Sequence, residues 1–124
     1  MTRKLYHLLL MVQGVYTLLT ALWGIIDIDS FMAVTGPKND IWLVKTVSVI
    51  LVAVAICLIC HRFVSGHPLP AILLGLSSSI GLGFIDVYYH AKEVISWVYL
   101  MDAVAEALFA LLWLYLLLRY RKLL

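Results

Sequence analysis

The sequence predicts an all-α fold, a four-transmembrane-helix bundle with both termini in the cytoplasm. Two observations carry the fold class. The 124-residue chain is 65% hydrophobic and only 13% charged, with a mean hydropathy of +1.05, too little polar surface for a water-soluble domain of this length. Its apolar residues also fall into four runs, near 5–26, 41–60, 69–89 and 94–118. Each is long enough, at about 1.5 Å per residue, to cross a hydrocarbon core of about 30 Å. Four short spans cannot close a barrel, and an open sheet edge fails in lipid, so the runs are helices.

The distribution of basic residues sets the orientation. Arg3 and Lys4 precede the first span, Arg62 lies between the second and third, and Arg119, Arg121 and Lys122 follow the fourth. The other side has Lys38 and Lys92 in its loops and Lys45 just inside the second span. The excess puts both termini in the cytoplasm. The first span begins like a signal peptide, but it is too long and ends in Leu22-Trp23-Gly24-Ile25-Ile26-Asp27 without a small-residue cleavage site, so it reads as a retained span.

In chain order, the one long loop runs from Asp27 to Asp40, with apolar Phe31-Met32-Ala33-Val34 placed on the membrane surface. Thr35-Gly36-Pro37-Lys38-Asn39-Asp40 is a turn signal, with Asn39 or Asp40 capping the second span. Ser65-Gly66-His67-Pro68 turns the chain back, and Pro68 and Pro70 open the third span. A few residues around Lys92-Glu93 join spans three and four as a tight hairpin. Gly75, Ser79 and Gly83 repeat every fourth residue, a rhythm that lets helices approach closely, here within one bundle.

Each span carries one polar stripe: Gln13, Thr17, Thr20, Gly24 and Asp27 on the first; Lys45 and Ser48, continuing into Ala55, on the second; Ser79, Gly83, Asp86 and His90 on the third; Tyr99, Asp102, Glu106 and Trp113 on the fourth. Four inward stripes make a polar core. Asp102 and Glu106 sit one turn apart in an apolar run, and a carboxylate there costs roughly 2.5–3.5 kcal/mol or more to insert. Glu106 lies about 15 Å in from the outer end, and every acidic residue belongs to the outer half or outer loops. The expected site is therefore an outward-opening pocket built by Asp27, Lys45, Asp86, Asp102 and Glu106, with Tyr99, Trp23 and Thr20 also available to line it.

Lys45 is the one cation expected to face four carboxylates. Either protons or a cationic ligand must supply the remaining charge, and Asp102 and Glu106 should titrate as a coupled unit. The first functional reading is a protein that binds or transports a proton, cation or small amphipathic amine. The alternative is a membrane-embedded enzyme in which Glu106 and Asp102 are the catalytic acid–base pair on a lipophilic substrate. A third is a structural subunit whose Lys45–carboxylate network only holds helices together. An enzyme needs one closed pocket per chain, whereas a transporter this small calls for a homodimer to enclose a path. The remaining expected partners are membrane lipids and the small cationic or lipophilic ligand.

Other signals weigh less. Cys57-Leu58-Ile59-Cys60-His61 matches the haem-attachment pattern, but it sits at the cytoplasmic end of an apolar helix, where two buried cysteines acting as small hydrophobes fit better. Asp86, His90, Asp102 and Glu106 have the chemistry of a metal clamp, without the Glu-x-x-His repeats of di-iron bundles. No cofactor is expected, and no nucleic-acid motif occurs.

Phe31-Met32-Ala33-Val34-Thr35-Gly36-Pro37-Lys38, Trp42-Leu43-Val44-Lys45-Thr46-Val47 and Tyr99-Leu100-Met101-Asp102-Ala103-Val104-Ala105-Glu106 resemble stretches of small uncharacterised four-helix bacterial membrane proteins. That resemblance implies a bacterial inner (cytoplasmic) membrane and brings no activity with it. In architecture alone, four spans around an outer acidic pocket are similar to the EXPERA (sterol-isomerase-like) membrane fold. The small multidrug-resistance transporters are similar in length but carry their glutamate in the first span, where this chain has none.

Overall fold

The computed structural model describes all 124 residues, Met1–Leu124. The chain forms α1 (Thr2–Ile26), α2 (Ile28–Thr35), α3 (Ile41–His61), α4 (Leu69–Ala91) and α5 (Val98–Leu118), closed by a 3-10 turn at Tyr120–Leu123, and it has no strand. Helices α1, α3, α4 and α5 are 21 to 25 residues long and apolar enough to cross a membrane. At 1.5 Å per residue they reach about 31–38 Å, which matches a bilayer's hydrocarbon core with a margin at each end. Only 25 of the 124 residues are buried, and Leu19, Ile50, Phe84, Val104 and Leu111 are more than half exposed. Apolar surface on that scale is stable against lipid, where it needs no partner, and identifies an integral membrane protein.

Two tight helix pairs, α1 on α3 and α4 on α5, make most of the interhelical contacts, and the pairs meet each other more sparingly. Small residues set the approach. A Cβ on Gly14 would come within 2.6 Å of the Ile59 side chain on α3, and one on Gly75 would overlap the Trp113 indole on α5. Ser79, four residues on, faces Gln13 of α1, and a Cβ on Gly83 would meet that of Glu106 at 3.3 Å. The small-residue rhythm of α4 thus serves packing inside this chain.

The apolar core occupies the end of the bundle that holds both termini. Leu10, Leu58, Ile72, Trp113 and Leu116 have no exposure at all and form one cluster with Tyr6, Leu9, Ala71, Phe109 and Leu123. An Arg3 guanidinium N–H donates to the Leu123 carbonyl at 3.1 Å and ties the two termini together.

At the opposite end, the segment expected to lie on the membrane surface is the two-turn helix α2. Asp27 caps it, accepting the Ser30 N–H at 3.3 Å. Ile28, Phe31, Met32 and Thr35 share one face, and Phe31 and Thr35 are buried. The Trp23 indole N–H donates to Ser30 Oγ at 2.7 Å and the ring meets Phe31 edge-on at 5.3 Å, which folds α2 back over α1. Ser96 Oγ donates to the Thr35 carbonyl at 2.9 Å and joins α2 to the α4–α5 connection.

The fourth span starts at Val98 rather than near residue 94, because α4 ends in a Schellman motif that occupies the intervening residues. Glu93 adopts φ 60°, its N–H donates to the His90 carbonyl at 2.9 Å, and the Val94 N–H reaches the Tyr89 carbonyl at 2.9 Å. Glycine is the residue this position favours, since an L side chain in left-handed geometry costs roughly 1–2 kcal/mol. Glu93→Gly is therefore expected to raise the free energy of unfolding by about 1 kcal/mol, read as a higher midpoint of thermal unfolding in detergent.

Candidate functional site

In the half of the bundle away from the termini, where the two helix pairs diverge, a cavity of about 340 Å³ remains. Leu43, Val44, Val47 and Leu51 of α3 form one apolar wall, and Leu82 and Ile85 of α4 continue it. The polar side chains among the lining residues come from the other helices: Tyr16, Thr17 and Thr20 of α1, Asp86 of α4, and Tyr99, Asp102 and Glu106 of α5. Phe31 of α2 and Lys38 of the following loop complete the enclosure.

Asp86, Asp102 and Glu106 all line this one cavity. Asp86 is 5% exposed and Glu106 is 2% exposed, yet Asp86 Oδ2 and Glu106 Oε2 have no hydrogen-bond partner. Asp102 is better served, because the Tyr16 hydroxyl donates to its Oδ1. An edge contact with Phe109, 5.7 Å between centroids, holds the Tyr16 ring in place. Two bare charges 4 Å apart repel by roughly 4 kcal/mol even at an effective dielectric constant of 20. Three such groups against an apolar wall call for protons or a cation in the cavity.

The residues expected from sequence divide sharply. Asp86, Asp102, Glu106, Tyr99 and Thr20 line the cavity; Asp27, Lys45 and Trp23 do not. Asp27 is exposed and spent as the α2 cap. Trp23 is engaged with Ser30 and Phe31. Lys45 is exposed and lies on α3 beyond Ser48, about 120° around the helix from the centre of its cavity wall at about 100° per residue. Of the face read from Lys45 through Ser48 to Ala55, Ser48 lines the cavity and Ala55 is buried, while Lys45, about 60° from Ser48 around the helix, falls outside.

The cation at the cavity is Lys38 instead. Its Nζ donates to the Gly36 carbonyl at 3.0 Å and stands 5.2 Å from the centre of the Tyr99 ring. A loop lysine carries no helical periodicity, so no pattern in the sequence singles it out. Tyr16 did leave a signal. It lies mid-span, away from the interfacial belts where membrane tyrosines collect, three residues after Gln13 and four before Thr20.

His90 Nδ1–H donates to the Ile95 carbonyl at 3.3 Å at the helix end, and no three His, Cys, Asp or Glu side chains converge to hold an ion. Cys57 and Cys60 are free and exposed on α3 rather than buried, and His61 Nδ1–H donates to the Cys57 carbonyl at 2.8 Å.

Gln13, one turn from Thr17 on α1, is buried outside the cavity lining. Its amide Nε2 donates to Ser79 Oγ at 2.8 Å and to the Gly75 carbonyl at 3.3 Å, while its Oε1 accepts the Trp113 indole N–H. One side chain thereby joins α1, α4 and α5 between the cavity and the apolar core. Gln13→Leu leaves the Trp113 N–H and the Ser79 hydroxyl without this partner, and is expected to lower stability by about 1–2 kcal/mol. Thermal unfolding in detergent measures it, and an unchanged midpoint would show that apolar packing alone holds this junction. No protein-family model, curated protein or solved structure matches the chain.

Proposed function

We propose that this integral membrane protein binds, and in a transport cycle carries, a small amphipathic amine or related cation within the bilayer. The observation that carries the reading is the pair of buried, unpartnered carboxylate oxygens on Asp86 and Glu106, two residues that line a cavity with an apolar wall. An ammonium group supplies both things the carboxylates lack, N–H donors and positive charge. The hydrocarbon body of the ligand then meets Val44, Val47, Leu51, Leu82 and Ile85. A cavity of about 340 Å³ falls at the small end of the range for small-molecule sites. Protons alone satisfy the charge but leave the apolar wall without a role.

Orientation follows from the basic residues at the terminal end, which favour the cytoplasmic side and turn the cavity outward. Together with the resemblance of the Phe31–Lys38 and Tyr99–Glu106 stretches, this supports a bacterial inner membrane. A structural role for the charges has lost its support, since it needed Lys45 as the partner of Glu106 and Lys45 is exposed. One observation favours a second reading, the embedded enzyme. The Tyr16–Asp102 hydrogen bond beside Glu106 is an arrangement that can pass a proton to or from a lipophilic substrate.

Phenethylamine and its neutral analogue phenylethanol, titrated against the protein in nanodiscs, test the proposal. The amine is expected to bind and the alcohol not to, and Glu106→Gln is expected to weaken amine binding at least about tenfold, or 1.4 kcal/mol. Equal binding of both compounds, or an unaffected variant, contradicts it. The same substitution replaces an unpartnered carboxylate by a neutral amide, so thermal stability is expected to hold or rise. Under the enzyme reading, Tyr16→Phe abolishes turnover of the substrate while leaving ligand binding in place.

A further inference from the structure

We propose that the opposite end of the bundle is a second ligand site, specific for the phosphate of an anionic phospholipid headgroup or of a free phosphate ester. A separate cavity of about 330 Å³ lies there, between the first turns of α1, the end of α3 and the turn leading into α4. Arg3, His7, His61 and Arg62 line it, with Tyr6, Ser65 and Gly66. The two guanidiniums are permanently charged and shaped to grip phosphate oxygens in pairs.

No acidic side chain offsets them. Every Asp and Glu belongs to the other half of the molecule or its loops, and the closest along α5, Glu106, precedes Leu118 by about three turns. Arg3 spends one N–H on the Leu123 carbonyl at 3.1 Å, which fixes the side chain at the cavity rim and leaves its other donors free. Arg62 stands 5.7 Å from the Phe63 ring centre, an arene contact that leaves its N–H groups unspent. His61 uses Nδ1–H on the Cys57 carbonyl, so an anion in the cavity would meet its Nε2 as a donor only in the imidazolium form.

Depth supplies the second argument. The lining residues sit at the ends of membrane spans, the level at which lipid phosphates lie. A bilayer therefore presents the ligand at high local concentration without any route through water. The cavity shares no residue with the acidic one, so this site stands whether or not that one binds an amine.

Native mass spectrometry of the protein released from nanodiscs of mixed phosphatidylglycerol and phosphatidylcholine tests it. The wild type is expected to retain phosphatidylglycerol preferentially. Arg62→Gln is expected to reduce that retention about tenfold, the worth of one charge-assisted contact, and Arg62→Lys to restore part of it. Arg121→Gln removes one charge from the same end outside the cavity and is expected to change nothing. Displacement of the lipid by excess inorganic phosphate would mark a site for phosphate from either source, and resistance to it would mark a headgroup site. Equal losses in Arg62→Gln and Arg121→Gln would reduce the effect to diffuse surface charge and overturn the proposal. Equal retention of phosphatidylcholine by the wild type would overturn it as well.

Discussion

The Trp113 indole fills the space that Gly75 leaves on α4, and its N–H is held by Gln13 of α1, which in turn holds Ser79. A buried indole N–H in lipid has no water to turn to, so the Gln13 amide is the condition under which the tryptophan packs at all. On the terminal side of this junction the helices close onto Leu10, Leu58, Ile72 and Leu116. On the other side no bulky wedge holds the two helix pairs together, and the cavity opens between them. Core and cavity are two consequences of one crossing.

Charge follows the same division. The half with the cavity holds Asp86, Asp102 and Glu106, two of them nearly inaccessible and each missing a partner for one oxygen. The half with the core ends in Arg3, Arg62, Arg119, Arg121 and Lys122, with no acid among them. Neither set neutralises the other across the bundle, because the core separates them. The two proposed ligands answer these charges, a cation in the acidic cavity and an anion at the basic end.

Much of the fold was legible because hydropathy and helix length are local properties. The beginnings of α3 and α4 and the end of α1 fall where turn and proline signals place them. The start of α5 was not, since Glu93 enters a left-handed conformation that its residue type disfavours. Among the polar residues, Asp86, Asp102 and Glu106 line the cavity, whereas His90 of the same α4 stripe bonds the Ile95 carbonyl and Trp113 of the same α5 stripe lies in the apolar core. Lys45 stood at the edge of the face it shared with Ser48 and Ala55, and is exposed. Asp27 extended the α1 stripe by one residue past the end of the helix, where capping α2 claims it. Lys38 and Phe31 come from the connecting segment, whose path depends on the Trp23–Ser30 hydrogen bond and on no pattern within the segment itself.

The central claim is that the buried carboxylates carry the ligand's charge. Infrared difference spectroscopy on the protein in nanodiscs, recorded with and without phenethylamine, addresses those groups directly. The account predicts changes in the carboxyl and carboxylate stretching bands on amine addition that disappear in the Asp86→Asn, Glu106→Gln double variant. Binding of the amine with no change in those bands, or with the same change in the double variant, would contradict it.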